Sequence, residues 1–185
     1  LSDKNIWIAG AAGTGKSRFA NSLEKPQYIY RKLPTQFWDG YDETHSIVLL
    51  EEMSPRHFEN PTFASLFKQW CDRYIFAGNI KCKPQISIAA DNFCFIVTSN
   101  YTIEECLACY GKEQEAVARR FKEYILITQE DSDTLSEPPY LQVIKDKRQK
   151  VYGDELSAMI HFSNLYKKDE VKIPDPPKNI EELYE

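Results

Sequence analysis

At 185 residues, 42% of them hydrophobic, the chain has room for one medium α/β domain and an appendage. Its 28 acidic against 23 basic residues, a formal charge of −5, exclude a uniformly basic nucleic-acid coat, though not a basic groove or pore. Five cysteines, an odd set without framework spacing, exclude a disulfide-stapled secreted scaffold and point to a reducing, intracellular setting, and no apolar run of about 18 residues offers a membrane span.

Along the chain, short apolar runs at 6–9, 46–50, 93–97 and 124–127 alternate with helical stretches at 17–23, 62–74 and 103–120. That rhythm predicts a mainly parallel sheet covered by helices. Within 62–74, Phe63, Leu66, Phe67, Trp70 and Tyr74 recur at three or four residues, the stripe of a helix packed on a sheet. The segment 75–92 breaks the rhythm with Gly78, Pro84 and strand-like alternation at Ile80, Cys82, Ile86 and Ile88, and it reads as a hairpin inserted between a helix and a strand. From 129 to 139 the chain is acidic and ends in Pro138-Pro139, a linker signal. The reading is therefore an ATPase-like domain over 1–130 and an acidic extension over 131–185. That extension carries one amphipathic stretch at 153–166 and an acidic, mobile end rich in Pro174, Pro176 and Pro177. The basic run from Lys145 to Lys150 is a solvated face or a contact for DNA or a partner. Cys106 and Cys109 form a lone C-x-x-C, read as ordinary thiols because a structural zinc site needs four ligands.

The chemistry begins at Gly10-Ala11-Ala12-Gly13-Thr14-Gly15-Lys16-Ser17, a complete G-x-x-x-x-G-K-[ST] between an apolar strand and a helix. Glycines allow backbone N–H groups to curl around phosphates, and the helix N-terminus adds partial positive charge. Lys16 is expected on the β- and γ-phosphates of ATP and Ser17 on Mg²⁺. The run Ile47-Val48-Leu49-Leu50 ends in Glu51 and Glu52, where open α/β sheets build their sites. Glu51 is expected in the Mg²⁺ shell and Glu52 as the base for the attacking water. A third strand ends in Thr98-Ser99-Asn100, which places Asn100 to sense the γ-phosphate. Arg119 and Arg120 close a helix, either complementing its dipole or reaching a neighbouring subunit's nucleotide.

In this order the GAAGTGKS, LLEE, VTSN and ARRF blocks resemble the superfamily 3 helicase domain of replication initiator (Rep) proteins. Phe37-Trp38-Asp39-Gly40-Tyr41 and Cys71-Asp72-Arg73-Tyr74 strengthen the likeness, which is nearest to Reps of small circular single-stranded DNA viruses, such as circoviruses, and of related plasmids. It covers about residues 5–127. The resemblance implies an AAA+-like P-loop NTPase fold, three layers α/β/α with a mainly parallel sheet and an inserted β-hairpin. It implies an ATP- and Mg²⁺-dependent ring, usually a hexamer, that moves 3′ to 5′ on single-stranded DNA in rolling-circle replication, in a host nucleus for a eukaryotic virus. Lys81, with Lys83 beside it, falls on the family's DNA-contacting hairpin, and Arg120 rather than Arg119 on its trans-acting arginine. Motif B carries two glutamates where circovirus-like members carry aspartates. The family's nicking domain has no counterpart here, since His45, His57 and His161 are scattered, so the chain reads as a piece of a longer protein. As such a piece it is expected to be largely monomeric at low concentration, with weak ATPase. Two other readings remain open at this level: a nucleotide-dependent assembly module without unwinding, and a small-molecule kinase, against which the absence of an arginine-bearing lid argues.

Overall fold

A computed structural model describes residues 1–153 of the chain. Its strands are β1 (Asn5–Gly10), β2 (Ile29–Arg31), β3 (Ile47–Met53), β4 (Ile75–Ile80), β5 (Lys83–Ala89), β6 (Cys94–Ser99) and β7 (Phe121–Leu126). Five of them form one sheet in the order β2-β3-β6-β1-β7, every pair parallel. Continuous apolar runs suit a parallel sheet because helices cover both of its faces. Alternation then divides the core. Trp7, Val48, Leu50, Phe95 and Val97 point to one face, and Ile6, Ile8, Ile47, Leu49 and Ile96 to the other.

On the first face lie α2 (Pro55–Phe58), α3 (Pro61–Trp70), α4 (Ile103–Leu107) and α5 (Lys112–Ala118). The packing there is aromatic: the fully buried Trp7 ring meets Phe58, Phe67 and Phe121 at 5.9 to 6.4 Å between centroids. On the second face lie α1 (Lys16–Ser22), through Ala20, and α6 (Pro139–Tyr152), through Leu141 and Ile144. The result is the expected three-layer α/β/α P-loop NTPase architecture, with β4 and β5 forming a separate antiparallel hairpin between α3 and β6.

Several elements differ from the sequence expectation. Helix α3 ends at Trp70, so Tyr74 falls outside the stripe and is 77% exposed. The helix expected over 103–120 is two, because Gly111 takes a positive φ of 48° and a 3₁₀ turn, Ala108–Tyr110, precedes it. Strand β2 was not foreseen, being three residues long at the sheet edge. The acidic linker folds into a 3₁₀ turn, Glu130–Thr134, and Pro139 opens α6, a favoured place for proline because the first helical N–H has no partner to lose. Within α6, Lys145 bonds Glu137 and the Leu23 carbonyl, both at 3.0 Å, and Lys147 bonds Asn92 at 2.7 Å, so these two lysines of the basic run hold the chain's own groups.

The chain divides into two units, Leu1–Lys147 and Arg148–Glu185. Of the second, residues 148–153 are described, ending α6. The amphipathic stretch expected at 153–166 lies outside the described residues, apart from Gly153, as do the prolines beyond it.

Candidate nucleotide site and nucleic-acid hairpin

Because the five strands are parallel, β1, β3 and β6 present their carboxyl ends at one edge of the sheet, the usual seat of an α/β site. The loop from Gly10 to Ser17 leaves β1 there and enters α1. Gly10 has φ 152°, and a Cβ on it would lie 2.4 Å from the Leu126 carbonyl oxygen. Gly15, the α1 N-cap, has φ 90°, and a Cβ on it would lie 3.3 Å from the Ser132 side chain. Close backbone approach is therefore built into the loop.

Lys16 is 9% exposed, and its Nζ donates to the carbonyls of Gly10 (2.5 Å) and Ala11 (2.6 Å) and to Asn100 Oδ1 (3.2 Å). Burial depresses its pKa, while the nearby Glu52 carboxylate works in the opposite direction. Thr14 Oγ1 donates to the Ala11 carbonyl at 2.8 Å and braces the turn.

The two acids differ in setting. Glu51 Oε2 pairs with Arg31 Nη1 at 2.7 Å. Glu52 sits in a bulge, at φ 55°, where the β3–β6 register shifts between Leu50 and Met53, and its N–H donates to Thr98 Oγ1 at 3.3 Å. Bulges re-aim side chains beside active sites. Asn100 follows a locked strand end, since Ser99 Oγ donates to the Met53 carbonyl at 2.7 Å and accepts the Tyr101 N–H at 2.8 Å.

These groups line one cleft of 940 Å³ that holds Gly13, Lys16, Ser17, Glu51, Glu52 and Asn100 together. Sequence reasoning missed Arg56, His57 and Gln129, which line it too. Arg56 and His57 follow β3 within a few residues, so proximity to a carboxyl strand end was the available signal. Ser17 and Glu51 have the oxygen chemistry for Mg²⁺, which is commonly held by one or two carboxylates together with substrate phosphates. No cluster of three His, Cys, Asp or Glu residues that could hold a metal ion occurs among the described residues. Cys106 is buried, with Sγ 3.9 Å from Ser99 Oγ, and Cys109 is exposed.

The hairpin carries both expected lysines at its tip. Ile80 pairs with Lys83, which leaves Lys81 and Cys82 as the turn, and both lysines are exposed. The Phe37-Trp38-Asp39 block docks this hairpin. The Trp38 N–H donates to the Asn79 carbonyl at 2.8 Å, Asp39 Oδ1 accepts the Lys81 N–H at 3.1 Å, and Lys81 Nζ lies 5.5 Å from the Phe37 ring centre.

A family model described as RNA helicase matches residues 6–101, more than half of the chain and the span from β1 through Asn100. The chain belongs to the RNA helicase family. It is accordingly a helicase-type nucleotide-binding domain, and the family implies use of ATP. Among solved structures, the chain is similar to one described as the apo structure of NrS-1 C terminal region (305-718), at 16% identity and a TM-score of 0.38. That match covers 93% of this chain and 52% of that one, so the chain spans about half its length. No curated protein matches.

One expected helicase residue is placed differently. Arg120 is 9% exposed, and its guanidinium pairs with Asp72 Oδ2 through Nη2 (2.7 Å) and Nε (3.2 Å). Its neighbour Arg119 is the exposed member. Two consecutive arginines read alike in sequence, and the choice between them is made by an acceptor 48 residues away. Both stand at the amino end of β7, the opposite edge of the sheet from the cleft.

Proposed function

We propose that this chain is the ATPase domain of a Rep-type rolling-circle replication initiator, hydrolysing ATP between the subunits of a ring and moving on single-stranded DNA. One observation carries the reading: the cleft and the arginine pair occupy opposite ends of the sheet. A six-residue strand separates them by about 20 Å, so an arginine at 119–120 serves a second copy's nucleotide more readily than its own. With Arg120 buried against Asp72, that role passes to Arg119. The ring, a hexamer, and the DNA path along Lys81 and Lys83 belong to the same proposal.

Within the cleft, Lys16 and the loop N–H groups would hold the β- and γ-phosphates. Glu52 would take the proton of a water whose oxygen attacks the γ-phosphorus, as the bond from phosphorus to the β–γ bridging oxygen breaks and ADP leaves. Ser17 and Glu51 would hold Mg²⁺, which neutralises the charge of the leaving phosphates. Asn100, tied to Lys16, would orient the water.

The test is ATP hydrolysis by the oligomeric protein with single-stranded DNA, with RNA of matched sequence, and with neither. Stimulation by DNA is the expected result. An unchanged rate with both nucleic acids overturns the proposal in favour of a nucleotide-dependent assembly module, and stimulation by RNA alone overturns the DNA assignment.

A further inference from the structure

The Asp72–Arg120 pair joins the start of the lysine-tipped hairpin to the turn that carries Arg119. Asp72 lies two residues past α3 and three before β4, so it forms the base of the lysine-tipped hairpin. Arg120 follows Arg119 directly and completes the turn from α5 into β7. Beyond its two bonds to Asp72, Arg120 donates from Nη1 to the Ala116 carbonyl, which holds the guanidinium against the last turn of α5.

A satisfied buried network clamps the pair to β1. Asn5 Nδ2 donates to the Cys71 carbonyl (2.8 Å) and to the Arg120 carbonyl (3.2 Å), and Asn5 Oδ1 accepts the Phe95 N–H (3.1 Å). Lys4 Nζ donates to the Asp72 carbonyl at 3.0 Å. One residue on, Arg73 Nη2 reaches both oxygens of Asp3, at 2.8 and 3.0 Å. The side chains of Arg120 and Asp72 are 11% and 20% exposed, so their attraction is little screened, and the guanidinium fork makes it directional. For Asp72 itself, burial would raise the pKa, but the Arg120 bonds, the Arg73 N–H and the charges of Arg120 and Lys4 outweigh it and hold the carboxyl below its ordinary range.

We propose that Asp72 is a positioning residue that couples the arginine turn at 119–120 to the nucleic-acid hairpin. When Arg119 engages a neighbour's phosphate, Arg120 moves with it, and the ion pair passes the displacement to the hairpin base and so to Lys81 and Lys83. The inference rests on the function proposed above. It assigns a role to the Asp72-Arg73 step, which nucleotide binding does not use.

Asp72→Asn tests it, because an asparagine oxygen still accepts the Arg73 N–H now bonded to Oδ1 at 2.9 Å, while the charge is lost. Full-length wild type, Asp72→Asn and Asp72→Glu are compared for ATP affinity, basal hydrolysis and hydrolysis with single-stranded oligodeoxythymidylate. Expected are an unchanged affinity and basal rate in Asp72→Asn with DNA stimulation reduced about fivefold or more, the usual scale of coupling between sites, and recovery in Asp72→Glu. Stimulation of Asp72→Asn equal to wild type overturns the coupling, as does a parallel fall of basal and stimulated rates, which marks a merely structural residue. A wild type that DNA leaves unstimulated overturns the functional reading instead. A second measurement needs no variant: a non-hydrolysable ATP analogue should alter amide exchange at residues 71–80 of the wild-type oligomer, and unaltered exchange there overturns the proposal.

Discussion

Gly10→Ala tests the phosphate loop through its backbone rather than its charge. A Cβ at this position meets the Leu126 oxygen at 2.4 Å, the Leu126 Cβ at 3.1 Å and the Leu126 carbonyl carbon at 3.2 Å. The oxygen contact is shorter than real Cβ atoms show, and Leu126 cannot retreat freely because it is registered opposite Gly10 in the β1–β7 ladder. A backbone φ of 152° adds strain of its own. Strain in sparsely populated backbone conformations costs about 1–3 kcal/mol, and forced overpacking costs about as much again. Taking about 3 kcal/mol for the two together, the melting temperature should fall by roughly 6–12 °C for a chain of this size. Gly13→Ala is the control: φ is 82°, but nothing lies within 4 Å of its Cβ, so only backbone strain applies. Its cost should stay at about 1 kcal/mol. Thermal unfolding followed by circular dichroism, with titration of a fluorescent ATP analogue, checks both. A Gly10→Ala protein that melts with wild type, or no lower than Gly13→Ala, refutes the argument that Leu126 confines the loop.

Lys16→Ala should weaken ATP binding by about tenfold or more, the worth of one or two charge-assisted hydrogen bonds, as isothermal titration calorimetry would read; retained affinity defeats the phosphate assignment. Arg120→Ala should destabilise by about 2–3 kcal/mol in denaturant titration, since it strands a largely buried Asp72, whereas Arg119→Ala should leave stability within about 0.5 kcal/mol; the reverse ranking contradicts the inward placement of Arg120. Lys32 is 3% exposed, lies 4.6 and 5.2 Å from the Trp70 and Trp38 rings, and has its pKa lowered by burial to about 7, against the charge of Asp39. Between pH 7 and the ordinary lysine value of 10.5 the unfolded chain holds the extra proton, so stability should rise with pH across that window. Lys32→Met should flatten that rise in melting curves recorded from pH 7 to pH 9, and an equal slope in both proteins counts against it.

What the sequence by itself determined is what depends on residues close together in the chain. The phosphate loop needs glycines, a lysine and a serine at set spacing between a strand and a helix, and these eight residues carry their geometry with them. Apolar runs of strand length gave the sheet, and the alternating segment 75–92 gave the hairpin, with Lys81 and Lys83 matched to its tip through the family resemblance; Cys82, read in the strand alternation, instead lies in the turn at φ 56°. Helix α6 was hidden because its buried face is two residues, Leu141 and Ile144, set among charges. The break at Gly111 was missed because helical spacing resumes on either side of a single glycine.

Tertiary structure decided what distant partners decide. Glu51 meets Arg31 only because β2 lies beside β3, and Glu52 is re-aimed by a bulge that exists only as a register shift against β6. Asp72 turns Arg120 inward and leaves Arg119 outside, through a contact spanning 48 residues. A desolvated charge takes whichever opposite charge the fold brings near, and nothing in the local sequence of either arginine states which one that is.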